Sequence, residues 1–511
     1  MKQPPQRSGT PSRLSHSCFF LLATCLLLSD IASAAPSITL SKKTGPPTSR
    51  ILVSGRGFEP NVGVDIYFGT KDESLVVTNG QGAFDQAKIY APRSAYPGEH
   101  WITALERNND KGAQQSFLVE TNWPQFRFAP ERDGTNPYEN VINPRTVGNL
   151  KVKWIYDTGH QYVWGSAIVV DGIVNISSWY GVYALNAETG ALLWKFAPSN
   201  GDTLDSDPAV VDGTLFVGAD YSGLYALNAQ TGDLLWNYTS TNDWVTTPVT
   251  VDGLVYFGDR EGYYYALNTS GALVWKSRLG SGNITSSGAI ANGVLYVPGG
   301  DGNLYALNAK TGAQVWEFVN GYMDQSSPAV ADGAVYASSW YEQNIYALNA
   351  STGDTLWSYH LQDWIWQSPA VGDGIVYISS RYGNFYALNA YNGQLLWSFA
   401  PSVSQLSDAT VANGVVYVGS AYPSNLYMLN ATTGKLLVDY ATGGWVQDPT
   451  VVNGVVYMTS YNDGKIYALA PADEANDKAR QRPASRRPDL KTLRPDFSLK
   501  VSKPDATASP H

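Results

Sequence analysis

Cysteine is nearly missing from this chain of 511 residues: there are two, Cys18 and Cys25, both close to the N-terminus. Everything after Cys25 is therefore without disulfides, Cys-x-x-Cys-His haem attachment or thiolate metal ligands. Histidine is also scarce. Only His100, His160 and His360 fall between the two termini, too scattered for the usual zinc spacing. No Gly-x-Ser-x-Gly elbow and no phosphate-binding loop occurs. Long apolar runs are lacking too. The best is Cys18–Leu28, well short of the ~20 residues that span a bilayer, so no transmembrane span is expected in the mature form.

That short run has a different reading. Lys2, Arg7 and Arg13 precede it and Ala32-Ser33-Ala34 follows, which predicts a signal peptide over 1–34 with cleavage near Ala34. The mature protein is expected to be secreted, periplasmic or at the cell surface. Cys25 follows Thr24 and precedes more apolar residues, so it is a poor lipoprotein acceptor. The net charge of −10 is unevenly spread: residues 471–511 hold nine Lys/Arg and six Asp/Glu, leaving about −13 on the rest. An acidic body argues against nucleic acid as a partner. The basic, Pro-rich tail 471–511 is expected to be disordered.

The chain does have one phrase, repeated eight times: Tyr-Ala-Leu-Asn and a turn, beginning at Tyr183, Tyr225, Tyr265, Tyr305, Tyr346, Tyr386, Tyr427 and Tyr467. The last two copies decay to Tyr-Met-Leu-Asn and Tyr-Ala-Leu-Ala, and the period stays at 40–42 residues. Within a repeat, an apolar run such as Pro208–Val211 ends at Asp212-Gly213, a hairpin signal, and Leu215–Val217, Leu224–Leu227 and Leu234–Trp236 follow as three more strands. Four short strands per period of about 40–45 residues describe a β-propeller blade. Trp194, Trp236, Trp275, Trp316, Trp357 and Trp397 mark the fourth strand; the seventh repeat has Val438 there, and after Tyr467 no such strand follows. A strand of that type occurs early, at Leu150–Trp154. The expectation is an all-β chain whose residues 150–470 form an eight-bladed propeller closed by this N-terminal strand.

Residues 36–120 carry short alternating strands with turn signals, as in Ile51–Gly55 and Val64–Phe68, which predicts a small β-sandwich. Residues 121–149 read as a linker.

The pattern Leu-Tyr-Ala-Leu-Asn-Ala-x-Thr-Gly-x-x-x-Trp, clearest at 224–236, 304–316 and 345–357, resembles the pyrroloquinoline-quinone (PQQ) repeat family, and the resemblance covers about 150–470. It implies the propeller fold. The family includes PQQ- and calcium-dependent alcohol and sugar dehydrogenases, many with a ring of adjacent cysteines against the quinone, which this chain lacks. It also includes non-catalytic scaffolds, such as the propeller lipoprotein of outer-membrane barrel assembly. The segment 36–120 resembles a bacterial immunoglobulin-like module of the IPT-like class.

Blade connections differ in kind. The A–B and C–D turns are monotonous, whereas the D–A and B–C loops vary from blade to blade within this one chain. The candidate ligand-binding residues lie in those variable loops: Trp164, Trp179, Asp205, Trp244, Arg260, Asp324, Trp340, Trp364, Trp366, Arg381 and Trp445. Flat aromatic faces with a few charges suit a carbohydrate or a protein ligand. No local motif assigns a catalytic or metal-binding residue, and no cofactor is expected. The function expected is an exported, non-catalytic binding scaffold. The alternatives are a PQQ- and calcium-dependent dehydrogenase and a cell-envelope assembly scaffold.

Overall fold

The computed structural model of the protein describes residues 35–472 except 205, 241–243 and 324–325, together with 487–494, 496 and 499. The expected signal peptide lies outside the described residues.

The N-terminal unit is a two-sheet sandwich. Strands β1 (Ser37–Leu40), β3 (Arg50–Arg56) and β6 (Phe84–Tyr90) form one sheet. The other runs β2 (Thr44–Gly45), β8 (Gly112–Val119), β7 (Gly98–Glu106), β4 (Gly63–Phe68), β5 (Lys71–Val77), with β2 parallel to β8. Period-two burial explains the sheets: Ile51 and Val53 of β3, Ile66 of β4 and Phe117 of β8 point into one shared core. Part of the tail expected to be disordered is docked here. Leu493 is buried against Tyr67 and Leu105, Gln114 Nε2 donates to the Pro488 carbonyl at 2.9 Å, and Asp496 N donates to Asp72 at 2.7 Å. Apolar Leu490 and Leu493 within the charged segment supply the anchor that its net charge conceals.

Eight sheets follow, each with four antiparallel strands, the seventh extended by the short parallel strand Thr135–Asn136; the first seven run in chain order from the inside outward. Blade 1 comprises Ile168–Val170, Ile173–Ser178, Gly181–Asn186 and Leu192–Phe196. Blades 2 to 7 begin at Ala209, Val249, Ala289, Ala329, Ala370 and Leu406. Blade 8 takes Thr450–Val452, Val455–Ser460 and Lys465–Pro471 from the C-terminal end and its outer strand, Leu150–Asp157, from the N-terminal end. Each A–B turn is an Asp-Gly or Asn-Gly pair with both residues at positive φ, as in Asp212 (47°) and Gly213 (75°), the geometry that follows the twist of a tight hairpin.

Neighbouring blades are joined by the fourth-strand tryptophan. Trp154, Trp194, Trp236, Trp275, Trp316, Trp357 and Trp397 each donate their indole N–H to a carbonyl in the next blade's C–D turn, at 2.8–3.1 Å. The ring lies on the glycine of that turn: a Cβ at Gly312 would stand 2.7 Å from Trp275. Val438 occupies this position in blade 7, facing blade 8. Blade 8 has no C–D turn to receive an indole, because its outer strand comes from the other end of the chain. The one-turn helix Val147–Asn149 leads into that strand, and Val147 packs in a core bordered by Val438.

The linker does more than link. Residues 123–136 run around the axis and pair with the innermost strand of every blade. Trp123 bridges Val169; the carbonyls of Pro124, Pro130, Glu131, Asp133 and Gly134 accept from Val210, Ile290, Val330, Val371 and Val411 at 2.7–2.9 Å. In blades 3 and 8 side chains substitute, Gln125 Oε1 accepting from Thr250 N and Asn136 Nδ2 donating to Val451 O, both at 2.9 Å. Each innermost strand has an open edge at the axis, and buried backbone donors need partners. Asn122 and Thr121 bond to the A–B turns at Asp171 and Asn453, and Asn140 bonds to the sandwich at Ala95. The sandwich therefore sits on the monotonous-turn side, and the variable face is clear of it.

The blade junction predicts a graded response to mutation. Trp275→Phe, which keeps one aromatic ring and loses the N–H and part of the packing, is expected to cost about 1–2 kcal/mol in denaturant unfolding. Trp275→Ala should cost about 3–5 kcal/mol. Val438→Trp should bring no gain, since its indole meets no turn; a stabilised Val438→Trp variant would contradict this account of the seam.

Candidate functional site

The floor of the funnel is a polar ring at one position per blade, just before the innermost strand: Ser166, Asp207, Thr247, Ser287, Ser327, Ser368, Asp408 and Asp448. The backbone N–H of one blade donates to the side chain of the next. Ser166 N bonds Asp207 Oδ1, Asp207 N bonds Thr247 Oγ1 at 3.1 Å, and Ser287 N bonds Ser327 Oγ at 3.1 Å. Ser327 N to Ser368 Oγ, Ser368 N to Asp408 Oδ1 and Asp408 N to Asp448 Oδ1 continue it at 3.2, 2.8 and 2.9 Å. Two arginines of the axial segment lie beneath. Arg127 pairs with Asp408 at 3.2 Å and donates to the Arg132, Ser368 and Pro369 carbonyls; fully buried Arg132 donates to the Gly288, Pro248, Thr247 and Phe126 carbonyls. Burial lowers Arg132 to about 10, so it stays charged at neutral pH. Burial raises Asp207 and Asp408, while burial together with the charges of Asp408 and Asp207 raises Asp448 well above the usual carboxylate range.

This floor fits a quinone cofactor poorly. PQQ carries carboxylates, and here it would meet three aspartates whose two arginine neighbours are already bonded into the ring. Among the described residues no group of three His, Cys, Asp or Glu side chains is placed to hold a metal ion. Asp207, Asp408, Arg127 and Arg132 were not among the candidate residues. The signal for the aspartates was present, since the ring positions recur every 40–41 residues at the start of the apolar inner strand; the two arginines follow no such period.

Acids of the variable face are committed to their own loops. Asp259 accepts from Glu261 N, Tyr263 N and Tyr265 OH, and Asp301 from Asn303 N and Tyr305 OH. Glu342–Tyr346 and Asp463–Tyr467 repeat the carboxylate-to-tyrosine bond. Asp205 and Asp324 lie outside the described residues.

The aromatic candidates fall into separate groups instead of one funnel lining. At blades 8 and 1, Trp164 packs edge-on against Trp445 (5.6 Å) and Tyr461 (5.0 Å), while Trp179 lies 4.8 Å from Tyr162, itself 5.0 Å from Tyr461. At blades 5 and 6, Trp340 meets Trp364 (6.0 Å), Tyr341 (5.7 Å) and Tyr322 (6.3 Å), and Arg381 sits over Trp366 (3.6 Å), Trp364 (5.3 Å) and Tyr382 (6.0 Å). At blade 3, Arg260 lies 5.3 Å from Trp244. Each group has exposed rings, Trp164 (42%) and Trp179 (41%) in one and Tyr341 (59%) and Tyr382 (63%) in the other, whereas Trp340, Trp364, Trp366 and Trp445 are half-buried. Sequence reasoning passed over Tyr162, Tyr322 and Tyr461, which join the tryptophans into groups.

A family model, PQQ_2, described as outer membrane protein assembly factor BamB, matches residues 180–340, 260–363, 342–422 and 407–477. The chain belongs to this PQQ-repeat family. Among solved structures, this PQQ-repeat propeller is similar to BamB from Moraxella catarrhalis, with a TM-score of 0.54, 20% identity, and coverage of 63% of this chain and 99% of that one. It is also similar to quinohemoprotein alcohol dehydrogenase ADHIIG from Pseudomonas putida HK5, with a TM-score of 0.60, 17% identity, and coverage of 75% and 82%. At these identities the likeness concerns the fold. A curated relative, the dehydrogenase subunit of a quinone alcohol dehydrogenase from Gluconacetobacter polyoxogenes, is 30% identical over 122 residues, 24% of this chain. That match spans 13% of the relative's length.

The floor of the PQQ-repeat ring makes a pH prediction. A carboxyl whose folded pKa exceeds its unfolded value, near 4, holds its proton more tightly in the folded state. Its contribution is fully present below the unfolded pKa and is lost as pH rises through the folded one. Asp448→Asn, which keeps an oxygen for Asp408 N, should therefore unfold later than the wild type at pH 8. The advantage should shrink progressively toward pH 4. An advantage independent of pH would mean that Asp448 is ionised throughout.

Proposed function

We propose that this PQQ-repeat propeller is an exported, non-catalytic binding scaffold whose variable D–A and B–C loop face engages a protein partner or a carbohydrate. The observation that carries the reading is a pair of aromatic groups on that face, one presenting exposed Trp164 and Trp179 beside half-buried Trp445, the other presenting exposed Tyr341 and Tyr382 over half-buried Trp340, Trp364, Trp366 and Arg381. Exposed aromatic clusters of this kind add nothing to blade packing, which the outer-strand tryptophans already provide, and are a common mark of ligand contact. On the funnel floor, by contrast, the Asp207, Asp408 and Asp448 carboxylates already accept backbone N–H groups of neighbouring blades.

The N-terminal sandwich we read as an immunoglobulin-like spacer. Its strand order, β1–β3–β6 against β2–β8–β7–β4–β5, supports that kinship, and its place on the monotonous-turn side leaves the aromatic face outward. A role in outer-membrane protein assembly is the second reading, favoured by the family description and by the near-complete coverage of the Moraxella BamB chain. A PQQ- and calcium-dependent dehydrogenase, suggested by the quinone-enzyme relatives, is the third, and the acidic floor weighs against it.

The test is a fluorescence titration of the mature protein with envelope polysaccharide and with solubilised envelope proteins. Wild type is expected to respond to one of them. Trp164→Ala/Trp179→Ala and Tyr341→Ala/Tyr382→Ala should each weaken the response about ten-fold or more, which at one to two anchor residues per group is ordinary for an interface. Calorimetry with PQQ and calcium, beside a dye-linked alcohol oxidation assay, should give neither heat nor turnover. Tight quinone binding with turnover would replace this reading by the dehydrogenase one.

A further inference from the structure

The blade 5–6 group has a cation at its centre that the blade 8–1 group lacks. Arg381 stacks on Trp366 at 3.6 Å with Trp364 and Tyr382 around it. Its backbone N–H bonds the Trp364 carbonyl at 2.8 Å, which fixes the base of the side chain. Its guanidinium makes no ion pair or hydrogen bond among the described residues. Among the described residues, Asp363 accepts from Trp364 N at 2.7 Å and Tyr382 N at 3.1 Å, and Glu342 from Asn320 Nδ2 at 2.6 Å and Tyr346 OH at 2.7 Å. A guanidinium held over an indole has no acceptor in the ring plane for its N–H donors, and their fork matches a carboxylate.

Trp340 stands at 90° to Trp364, 76° to Tyr341 and 87° to Tyr322, while Tyr322–Tyr341 and Trp364–Tyr382 are tilted by 31° and 34°. Such a group offers separate flat faces, not the continuous apolar patch that a protein interface core needs. Each face is about the size of one pyranose. We propose that this group is a subsite for an acidic sugar, with a uronate carboxylate on Arg381 and pyranose C–H faces against Tyr341, Tyr382 and Trp364. The assignment rests on the binding-scaffold reading and names the ligand class for one of its two groups.

Calorimetry of the full mature chain with tetragalacturonate, its methyl ester and a neutral tetrasaccharide tests it. The free acid is expected to bind at least ten-fold more tightly than the ester, with an advantage that shrinks as salt is raised. Arg381→Gln should abolish that advantage without moving the thermal midpoint, and Arg381→Lys should recover only part of it. Equal binding of acid and ester, an unaffected Arg381→Gln variant, or no heat from the acid at millimolar concentration would each overturn the assignment. So would an equally tight glutamate-rich peptide of matched charge. If neutral sugar binds and Tyr341→Ala/Tyr382→Ala removes it while acid gains nothing, only the uronate assignment falls. If no probe binds and that double variant also leaves the envelope titration unchanged, the scaffold reading loses this group as well.

Discussion

The contact on which the ring depends is a tryptophan indole laid on the next blade's C–D turn, its N–H on a turn carbonyl and its ring against a glycine. The glycine does two things at once: it takes the positive φ that ends the turn, and it leaves the space that the indole fills. In several blades the same carbonyl accepts a second donor. Ala390 O takes Trp357 Nε1 at 2.8 Å and Tyr336 OH at 3.1 Å, so one blade holds the next through two donors on a single carbonyl. A chain with no disulfide available after Cys25 must hold eight sheets in register by such repeated contacts. The small energy of each matters less than their number, because a repeat array is stabilised chiefly by its nearest-neighbour interfaces.

Closing a ring creates a second difficulty at its centre. Eight inner strands converge with their outward-bonding edges unpaired, and no strand of the repeat can reach them. Residues 123–136 meet that need with one backbone or side-chain bond per blade. Above it, bonds along Ser166, Asp207 and Thr247 and along Ser287 to Asp448 tie neighbouring blades at six junctions. The cost is electrostatic, since aspartates at a shared axis raise one another, and Arg127 offsets only part of it. This explains why an acidic cluster in a funnel is a poor guide to chemistry in this chain: its oxygens already accept the hydrogen bonds that hold the circle.

Much of this was legible in the sequence. Tyr183 and its seven echoes carried the repeat, the Trp154 strand carried the seam, and the Asp-Gly and Asn-Gly pairs carried the hairpins, because each is a local rule written once per period. Val438 was visible as an irregularity, and its cause needed the structure: the absent turn lies in a blade whose outer strand starts at Leu150. Residues 123–136 could not be read from a pattern, since they follow no period of their own and take their conformation from eight partners distant in sequence. Positive φ at Arg127, Phe128 and Arg132 is of that tertiary origin. The docked Leu493 was obscured by its charged neighbours, a case where composition describes the segment and two apolar residues decide its placement.

The variable face was legible as variation, yet its internal organisation was not. Loop composition suggested acids and aromatics acting together, whereas geometry separates them by bonding capacity. A carboxylate in a short loop finds backbone N–H groups two to four residues on, as Asp259 and Asp301 do, and is thereby drawn into holding the loop. An indole or phenol ring has no such local partner for its face, so it packs edge-on with neighbouring rings and leaves a face toward solvent. The same argument applies to Arg381. Five fixed donors cannot all be met within a four-residue loop, and stacking on Trp366 orients the guanidinium without saturating it. Among the described residues of the variable face, the exposed aromatic rings and the Arg381 guanidinium are thus groups whose chemistry the loops leave open to a ligand.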